Sequence, residues 1–262
     1  QSENITIRDI SAYNTCTPET WEQLVINSDI NCTNNTVQTS LLNITQNANL
    51  TLTKITLITG KSIIDGKLTI RNSKNTIWQN DNLTISGTYI LGNSTLRMNG
   101  SITGEVGINV TSTGSMTINN SGNITNGENQ SANYFFIVEN GAFFNMSDSY
   151  LSKAGWSDSL NKRGLELYAD NINVKHSFIN DSYNGLNLYG NNAVIENNTI
   201  YNLTNIGIYI ADSALSTQII SNNITLQNGS AIYVHTSSSD VNVSANYIWL
   251  SKSMAYGVEA DG

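Results

Sequence analysis

Five short segments of similar sequence recur in the second half of the chain, and their spacing constrains the fold more than any other feature. Each begins with Gly or Ala and continues with alternating apolar residues: Gly164–Tyr168, Gly185–Tyr189, Gly207–Ile210, Ala231–Val234 and Gly257–Ala260. The period is about 22 residues at first and lengthens slightly toward the end of the chain. Such alternation is typical of half-buried β-strands. The second half is therefore predicted to be a repeat of short strands.

A second apolar segment follows each of the first four at a similar offset. These segments are Val174–Ile179, Ile195–Ile200, Ile220–Thr225 and Val243–Ile248. Their alignment places four polar residues in one column: Ser177, Asn198, Asn223 and Asn246. Stacked side chains at the corner of a coil hydrogen-bond to one another and to the turning backbone. We therefore expect these four residues to form a structural ladder.

Short strands are also predicted in the first half of the chain. Examples are Leu50–Thr53, Lys67–Ile70, Asn82–Ile85 and Ser115–Ile118. A period of about 22 residues is too short for a propeller blade, and no leucine-rich consensus runs through the chain. A coil of parallel strands, stacked turn on turn, fits best, because each turn then buries its apolar side against its neighbours.

The ladder column and the repeat resemble those of right-handed parallel β-helix proteins, in the pectate-lyase-like and NosD-like repeat superfamily. The resemblance covers roughly residues 41–262 and implies an all-β, right-handed parallel β-helix with turns of about 22 residues. Only 12% of the residues are charged. Within that superfamily, this composition, rich in Asn, Thr and Ser, is most similar to archaeal cell-surface glycoproteins.

One helix is predicted near the start of the chain. Thr17-Pro18-Glu19 supplies an N-cap, a proline at the first helical position and an acidic first turn, which favours a helix over Pro18–Ile26. Cys16 and Cys32 flank it. In an exported protein they are expected to form one disulfide worth about 3 kcal/mol, which would clamp the helix as a cap. Two buried free thiols are the alternative.

The segment 134–163 interrupts the repeat, since it is aromatic and then charged. Phe135–Val138 is predicted to be a strand of the coil, and 153–163 a longer loop that projects from it. Long loops on repeat proteins often carry function. An aromatic core turn followed by a solvated loop is the alternative. We divide the chain into a cap region, 1–40, and the β-helix, 41–262.

Nineteen Asn-x-Ser/Thr sequons occur, whereas random placement of the 41 asparagines would give roughly nine. Since N-glycans are added outside the cytosol, the excess indicates an exported protein. Accidental sequons are the alternative. We expect occupancy of most sites but not of Asn223, which the ladder would turn inward. The other eighteen are Asn4, Asn31, Asn34, Asn43, Asn49, Asn82, Asn93, Asn99, Asn109, Asn119, Asn123, Asn129, Asn145, Asn180, Asn197, Asn202, Asn228 and Asn242.

Compartment and partners follow from the start of the chain and from its charge. The sequence starts at Gln1 without a leader, which fits a mature secreted chain whose signal peptide was removed; a trimmed chain would look the same. A net charge of −8 argues against nucleic-acid binding. No apolar run approaches the length that a membrane span requires. We expect an extracellular or cell-surface location.

Catalytic and metal sites are not predicted. Polysaccharide-cleaving β-helices need paired carboxylates, but the outward columns of the Gly-anchored strands place no two carboxylates on adjacent full turns. His176 and His235 are about 60 residues apart, without a partner at ligand spacing. Calcium would have to be held by scattered Asp side chains and backbone carbonyls. Covalent N-glycans are the only non-protein groups expected.

A contact surface is predicted on the outward side of the Gly-anchored strands and the adjacent loop. It consists of Tyr168, Tyr189, Tyr209, Tyr233, His235 and Trp156. Tyrosine offers a large contact area at low ordering cost, which suits sugars and protein interfaces alike. An ordinary outward strand face is the alternative, since strands favour tyrosine.

The hypothesis for function is a heavily glycosylated structural protein that assembles with itself into a surface layer, sheath or filament. Contacts would be head-to-tail or lateral. Gly257–Ala260 restarts the repeat shortly before Gly262, so we expect this end to dock on another subunit. The alternatives are a secreted carbohydrate-binding or polysaccharide-cleaving β-helix and a virus-borne fibre or spike.

Overall fold

The computed structural model describes residues 7–9, 20–71, 75–127, 131–212, 214–251 and 255–261, with side chains from residue 23 onward. These residues form a parallel β-solenoid of thirty strands in a twenty-stranded and a ten-stranded sheet. No α-helix occurs among them.

The coil begins with strands that are long for a solenoid. They are β1 (Ile7–Asp9), β2 (Thr20–Ile26), β4 (Thr36–Ile44) and β6 (Thr56–Ile64). The two halves of β6 then pair with two separate strands: Thr56–Thr59 with one, Ser62–Ile64 with the next. From this point each turn has a corner where the earlier turns ran straight, and the large sheet divides into a first face and a second face.

Three parallel ladders of strands result. The first face comprises β8 (Asn75–Gln79), β11 (Ser94–Met98), β14 (Asn123–Asn126), β17 (Tyr150–Ser152), β20 (Phe178–Asn180), β23 (Thr199–Leu203), β26 (Asn223–Leu226) and β29 (Tyr247–Leu250). The second face comprises β9 (Leu83–Ile85), β12 (Gly107–Val110), β15 (Phe135–Val138), β18 (Leu165–Leu167), β21 (Leu186–Leu188), β24 (Ile208–Ile210), β27 (Gly229–Val234) and β30 (Ala255–Ala260). The third face comprises β3 (Ile30–Thr33), β5 (Asn49–Thr53), β7 (Lys67–Ile70), β10 (Thr88–Gly92), β13 (Ser115–Asn119), β16 (Phe143–Ser147), β19 (Asn173–Lys175), β22 (Val194–Glu196), β25 (Gln218–Ile220) and β28 (Asn242–Ser244).

The predicted repeat of the Gly-anchored strands is confirmed. Leu165 pairs with Leu186, Leu186 with Ile208, and Ile208 with Ile232, in parallel register. Ile232 pairs in turn with Val258. The paired positions therefore repeat at the same steps as the segments of the sequence. Elsewhere the turn length varies: Leu50 pairs with Leu68 in a short turn and Asn145 with Asn173 in a longer one, because loops of different length leave the coil at its corners.

Stacked aliphatic side chains fill the interior. One column contains a single apolar residue from each of eight successive turns, all at most 1% exposed: Ile44, Ile64, Ile85, Val110, Val138, Leu167, Leu188 and Ile210. The outward neighbours on each strand are polar or half-buried, as the alternation of side chains along a strand requires. Each turn thus buries its apolar side only against the turns above and below it.

The helix predicted over Pro18–Ile26 is wrong where the structure describes it. Residues 20–26 form β2, which pairs with β1 and β4. Leu24 and Ile26 are buried and the residues between and before them are half-buried, so the period is two and not 3.6. Parallel pairing with β4 therefore overrides the local helix signals.

Residues 1–6 and 10–19 of the predicted cap region are not among the residues that the structure describes. Cys16 lies in the second of these ranges, outside the described residues, so the Cys16–Cys32 disulfide stays a prediction; Cys32 itself is buried in β3. The proposed boundary between 1–40 and 41–262 falls inside β4, which continues across it and pairs with β6.

The four segments predicted as second strands each bend at the middle. Residues 174–179, for example, comprise the end of β19, a corner at His176-Ser177 and the start of β20. The residue before the ladder position has a positive φ there, 49° at His176 and 54° at Asn197. This left-handed residue turns the chain from the third face onto the first.

The predicted ladder exists, with one residue corrected. The Ser177 and Asn198 N–H groups donate to the side-chain oxygens of Asn198 and Asn222, at 2.9 and 3.0 Å. The Asn222 N–H donates to Asn246 Oδ1 at 2.8 Å. Asn222 occupies the position predicted for Asn223, because Ile219 rather than Ile220 pairs with Val243.

Candidate functional site

The tyrosines predicted as a contact surface lie together along the second face. Tyr168 and Tyr189 stack with ring centroids 4.3 Å apart and planes at 10°. Tyr209 and Tyr233, one turn apart in register, stack at 5.5 Å and 17°. Tyr189 and Tyr209 join the two pairs at 6.2 Å. The four rings form a continuous half-exposed aromatic run across four turns.

The loop 153–163 folds onto this run. Gly155, at φ 74°, donates its N–H to the Tyr134 carbonyl at 2.8 Å. The Trp156 N–H then donates to the Lys162 carbonyl at 2.7 Å, which closes the loop on itself. These two hydrogen bonds fix the loop at its base and across its tip. They therefore fix the position of Arg163, the last residue of the loop.

Arg163 connects the loop to the tyrosine run. Its guanidinium lies 5.5 Å from the centre of the Tyr209 ring, and Nη1 donates to the Tyr189 hydroxyl at 3.3 Å. Nε donates to the Asp158 carbonyl at 2.6 Å. A guanidinium over an aromatic face is attracted by the ring quadrupole. Arg163 is half-exposed, so the cation is held in place while it remains open to solvent.

Glu166 lies beneath the loop with no exposed surface. Its carboxylate accepts the Arg163 N–H at 3.0 Å and the Tyr168 hydroxyl at 2.9 Å. Burial raises the pKa of the Tyr168 phenol well above its ordinary value, and the Glu166 charge raises it further. Burial and then the Glu166 charge raise the pKa of Tyr189 to about 12. Both phenols are therefore neutral at any physiological pH.

A cleft of about 210 Å³ opens beside Arg163. Asp158, Arg163, Asn184, Asn205, Ile206 and Tyr209 line it. Asn184 donates to Asn187 Oδ1 at 2.8 Å and accepts the Ile206 N–H at 3.1 Å. The buried Asn187 Nδ2 has no hydrogen-bond partner among the described residues. The cleft thus combines a cation, an aromatic face and amide groups.

Trp156 lines a second and larger cavity, of about 510 Å³. Thr103, Gly104, Phe135, Ile137, Trp156, Asn161 and Lys162 line it. Lys162 Nζ lies 6.0 Å from the Trp156 ring. Gly104, at φ 81°, lets the ring approach, because a Cβ there would be 2.5 Å from it. Trp156 thus lines a different cavity from Arg163 and Tyr209, and Asn161 of this cavity accepts a hydrogen bond from the Tyr168 hydroxyl at 3.1 Å.

His235 is at the far end of the second face. Its Nδ1 lies 3.7 Å from Asp212 Oδ1. Beside it the Tyr233 hydroxyl donates to Asp261, and this hydrogen bond, more than burial, raises the pKa of Tyr233 to about 12. His176 lies at a different corner, 3.8 Å from Asp148. No cluster of three His, Cys, Asp or Glu side chains able to hold a metal occurs in the described part of the chain.

The second group of functional candidates is the set of sequons. Asn4 and Asn129 lie outside the described residues, and none of the other seventeen sequon asparagines is buried. Eight are exposed: Asn31, Asn34, Asn93, Asn197, Asn202, Asn223, Asn228 and Asn242. Nine are half-buried: Asn43, Asn49, Asn82, Asn99, Asn109, Asn119, Asn123, Asn145 and Asn180. The predicted exception at Asn223 is wrong about its orientation, since this side chain faces outward.

Buried asparagines form a separate set. Six are at most 9% exposed: Asn75, Asn126, Asn184, Asn187, Asn198 and Asn222. None of these six begins a sequon. Asn198 and Asn222 belong to the ladder, and Asn184 lines the cleft with Asn187 as its hydrogen-bond partner. Asn75 accepts the Ile55 N–H at 2.7 Å. Hydrogen bonds within the chain thus satisfy most polar atoms of these amides.

Sequence reasoning missed Arg163 and Glu166 as members of the site. Alternation along Gly164–Tyr168 predicts an outward position for Glu166, and its strand partners are Asn187 and then Tyr209. The structure buries it nevertheless, because the loop folds over it. The one available signal was the proximity of a basic pair, Lys162-Arg163, to Glu166, whose column continues with Asn187, Tyr209 and Tyr233.

Comparison with protein-family models, with curated proteins and with solved structures finds no match to this chain. Within the described residues there is also no helix long and apolar enough to cross a bilayer.

Proposed function

We propose that this protein is an N-glycosylated extracellular structural protein, a subunit of a cell-surface layer, sheath or filament. The separation of sequon asparagines from buried asparagines carries the proposal. A glycan is bulky and hydrated, so an occupied site has to stay out of the core, whereas accidental sequons have no such constraint. Seventeen described sequon asparagines avoid the core while six asparagines outside sequons occupy it.

The solenoid suits a mechanical role. Its backbone hydrogen bonds run along the long axis, from each turn to the next, and its core is continuous. In this proposal the coil is right-handed, as about 98% of parallel crossover connections are. It would belong with the NosD-like repeats and, by composition, with archaeal surface glycoproteins.

The test is made on material from a host that N-glycosylates exported proteins. We expect an intact mass well above the 28.6 kDa of the chain and glycopeptides at the exposed sequons, Asn223 included. Electron microscopy of the same material should show filaments or sheets. An unmodified mass, or fully modified protein that stays monomeric at high concentration, would count against glycosylation or assembly respectively.

Saccharide binding at the Arg163 cleft is a second candidate function. A guanidinium held over Tyr209, beside an aromatic run and amide groups, matches what a sugar chain offers: an apolar ring face and a periphery of hydroxyls. Both Glu166 oxygens already accept hydrogen bonds within the chain. The arrangement therefore favours binding over bond cleavage, with Glu166 fixing the loop and the phenols.

Calorimetry with a panel of neutral and uronic-acid oligosaccharides tests this second candidate. Tyr209→Ala should weaken binding at least tenfold, about 1.4 kcal/mol, because it removes the ring beneath the guanidinium. Tyr256→Ala is the matched control, since Tyr256 is 60% exposed and distant in sequence from the loop. Equal affinities of the two variants, or no binding by the parent protein, would eliminate the cleft as a sugar site.

A further inference from the structure

The two exposed phenylalanines of the described chain share a sequence context. Phe143 is 53% exposed and Phe178 is 39% exposed. Each lies two positions before a sequon asparagine: Asn145 follows the first and Asn180 the second. Because alternate residues of a strand point to the same side, each asparagine projects beside an exposed ring.

The surroundings of Asn180 are the more developed of the two. Tyr150, one turn before, stacks on Phe178 with centroids 4.9 Å apart and planes at 8°. Tyr201, one turn after, pairs in register with Asn180 and accepts a hydrogen bond from its Nδ2 at 3.0 Å. Tyr150 and Tyr201 are 46% and 38% exposed. Asn180 is thus half-buried within an exposed platform of three aromatic rings.

We propose that an N-linked glycan on Asn180 lies across this platform, with its first sugar packed on Phe178. The proposal rests on the glycosylation proposed above. A sugar ring presents C–H groups on one face and hydroxyls at its edge, so it covers an aromatic ring while its polar groups stay in water. Covalent attachment beside the platform gives this sugar a far higher effective concentration than any free partner has.

The chemistry of attachment is compatible with the contacts of Asn180. Transfer from a lipid-linked sugar phosphate forms a bond between Nδ2 and the sugar C1 and breaks the bond between C1 and the phosphate oxygen. The phosphate carrier leaves with that electron pair, and one Nδ2 proton is released. One N–H remains on Nδ2. The unmodified amide donates to Tyr201 Oη at 3.0 Å and to Asp181 Oδ2 at 3.1 Å, so one of these hydrogen bonds is retained and the sugar replaces the other.

A thermodynamic cycle in an N-glycosylating host tests the packing. The variants are Asn180→Gln, Phe178→Thr and their combination; threonine is the residue at the paired position of the next turn, Thr199. We expect Asn180→Gln to raise the unfolding equilibrium constant about fivefold in the Phe178 background. The effect should vanish beside Phe178→Thr, and in protein from a host that does not glycosylate.

The control is Asn242→Gln, which removes an exposed sequon whose paired neighbour is Gln218; it should leave the unfolding constant nearly unchanged. Upfield-shifted proton signals of the first sugar at Asn180, lost in Phe178→Thr, give a readout that does not depend on stability. An unmodified Asn180 would contradict glycosylation at this site. A modified Asn180 without coupling or shifted signals would overturn the packing alone.

Discussion

At the scale of single residues, the corner between the third and first faces makes an unusual demand. Every such corner that the structure describes contains a left-handed residue: Asn34, Lys54, Asn93, Ser121, Asp148, His176, Asn197, Ser221 and Ala245, with Asn120 beside Ser121 as a second one. Asn and Asp tolerate this region because their side chains hydrogen-bond locally, whereas other L-residues pay roughly 1–2 kcal/mol. Because every turn needs this corner, a residue other than Asn or Asp at this position adopts the left-handed conformation in spite of its strain.

Ala245 is the clearest case, with φ 55° and no polar side chain to compensate. Ala245→Gly should stabilise the protein by about 0.5 kcal/mol, since relief of strain exceeds the added entropy of the unfolded chain. The same change at Ala255, in a strand, should destabilise it. Urea denaturation of both variants measures the difference; destabilisation at both positions would contradict the strain.

The corrected ladder position leads to a second prediction. Asn222 receives hydrogen bonds from Asn198 and donates to Ile195 O at 2.9 Å and to Asn246 at 3.0 Å. In unglycosylated protein, Asn222→Ala should cost about 2–4 kcal/mol of unfolding free energy, because it strands buried polar groups. Asn223→Ala, at the next position and exposed, should cost less than about 0.5 kcal/mol. A larger loss for Asn223→Ala than for Asn222→Ala would show that Asn223 is the ladder residue, as the sequence alone predicts.

The tyrosine run predicts a loss of stability in alkali. The folded pKa of Tyr189 is about 12, against an ordinary value near 10, so the folded state holds the proton more tightly. The stabilisation is complete below pH 10 and is lost as the pH rises through 12. Site-resolved NMR of ring-labelled tyrosine measures this pKa. Glu166→Gln should lower it; an unchanged value would contradict the role of the carboxylate.

At the scale of elements, the loop 153–163 depends on the buried Glu166 and on Arg163. Arg163→Gln should cost about 2 kcal/mol, since it removes the hydrogen bond to the Asp158 carbonyl, the cation over Tyr209 and the attraction of that cation to the Glu166 carboxylate. The loss should shrink by about 1 kcal/mol when Glu166→Gln is also present. A double-mutant cycle by chemical denaturation measures this coupling. Additive losses would show that the cation acts only through Tyr189 and Tyr209.

The strands and their spacing could be predicted from the sequence because a solenoid repeats its local pattern. The Gly-anchored segments gave the turn length and, through alternation, the outward positions of Tyr209 and Tyr233. The helix over Pro18–Ile26 failed because its cap signals are local, while pairing of β2 with β4 is not. The shift from Asn223 to Asn222 arose because adjacent isoleucines, Ile219 and Ile220, offer two equivalent alignments.

The site was harder to predict, because only part of it follows the repeat of the solenoid. Tyr168, Tyr189, Tyr209 and Tyr233 follow from the period, and the structure brings them together. The burial of Glu166 and the place of Arg163 over Tyr209 depend on how an irregular loop folds back. The periodic pattern of the sequence contains no information about the conformation of this loop. Trp156, predicted with the tyrosines, lines a separate cavity.

At the scale of the whole molecule, the protection of backbone amides from hydrogen exchange should decrease toward the last turns of the coil. Strands β28 to β30 expose every second residue and bury none, whereas β21, in the middle of the second face, is buried throughout. Since each turn is stabilised only by its neighbours, opening should begin in the last turns. Hydrogen exchange by mass spectrometry should show amides of residues 242–261 exchanging faster than those of 165–188. Uniform protection would indicate one cooperative unit.

The in-register pairing of Leu186 with Ile208 has a consequence for molecular length. Removal of the segment 186–207 would bring Ile208 into the place of Leu186, with every inward and outward side chain still on its own side. Growth or shortening of such a chain therefore proceeds in whole turns, each about 4.8 Å along the axis. The distance from β3 to β28 is nine such steps, or about 43 Å. This length is therefore set by the number of turns, and duplication of a coding segment would extend it without any redesign of the interior.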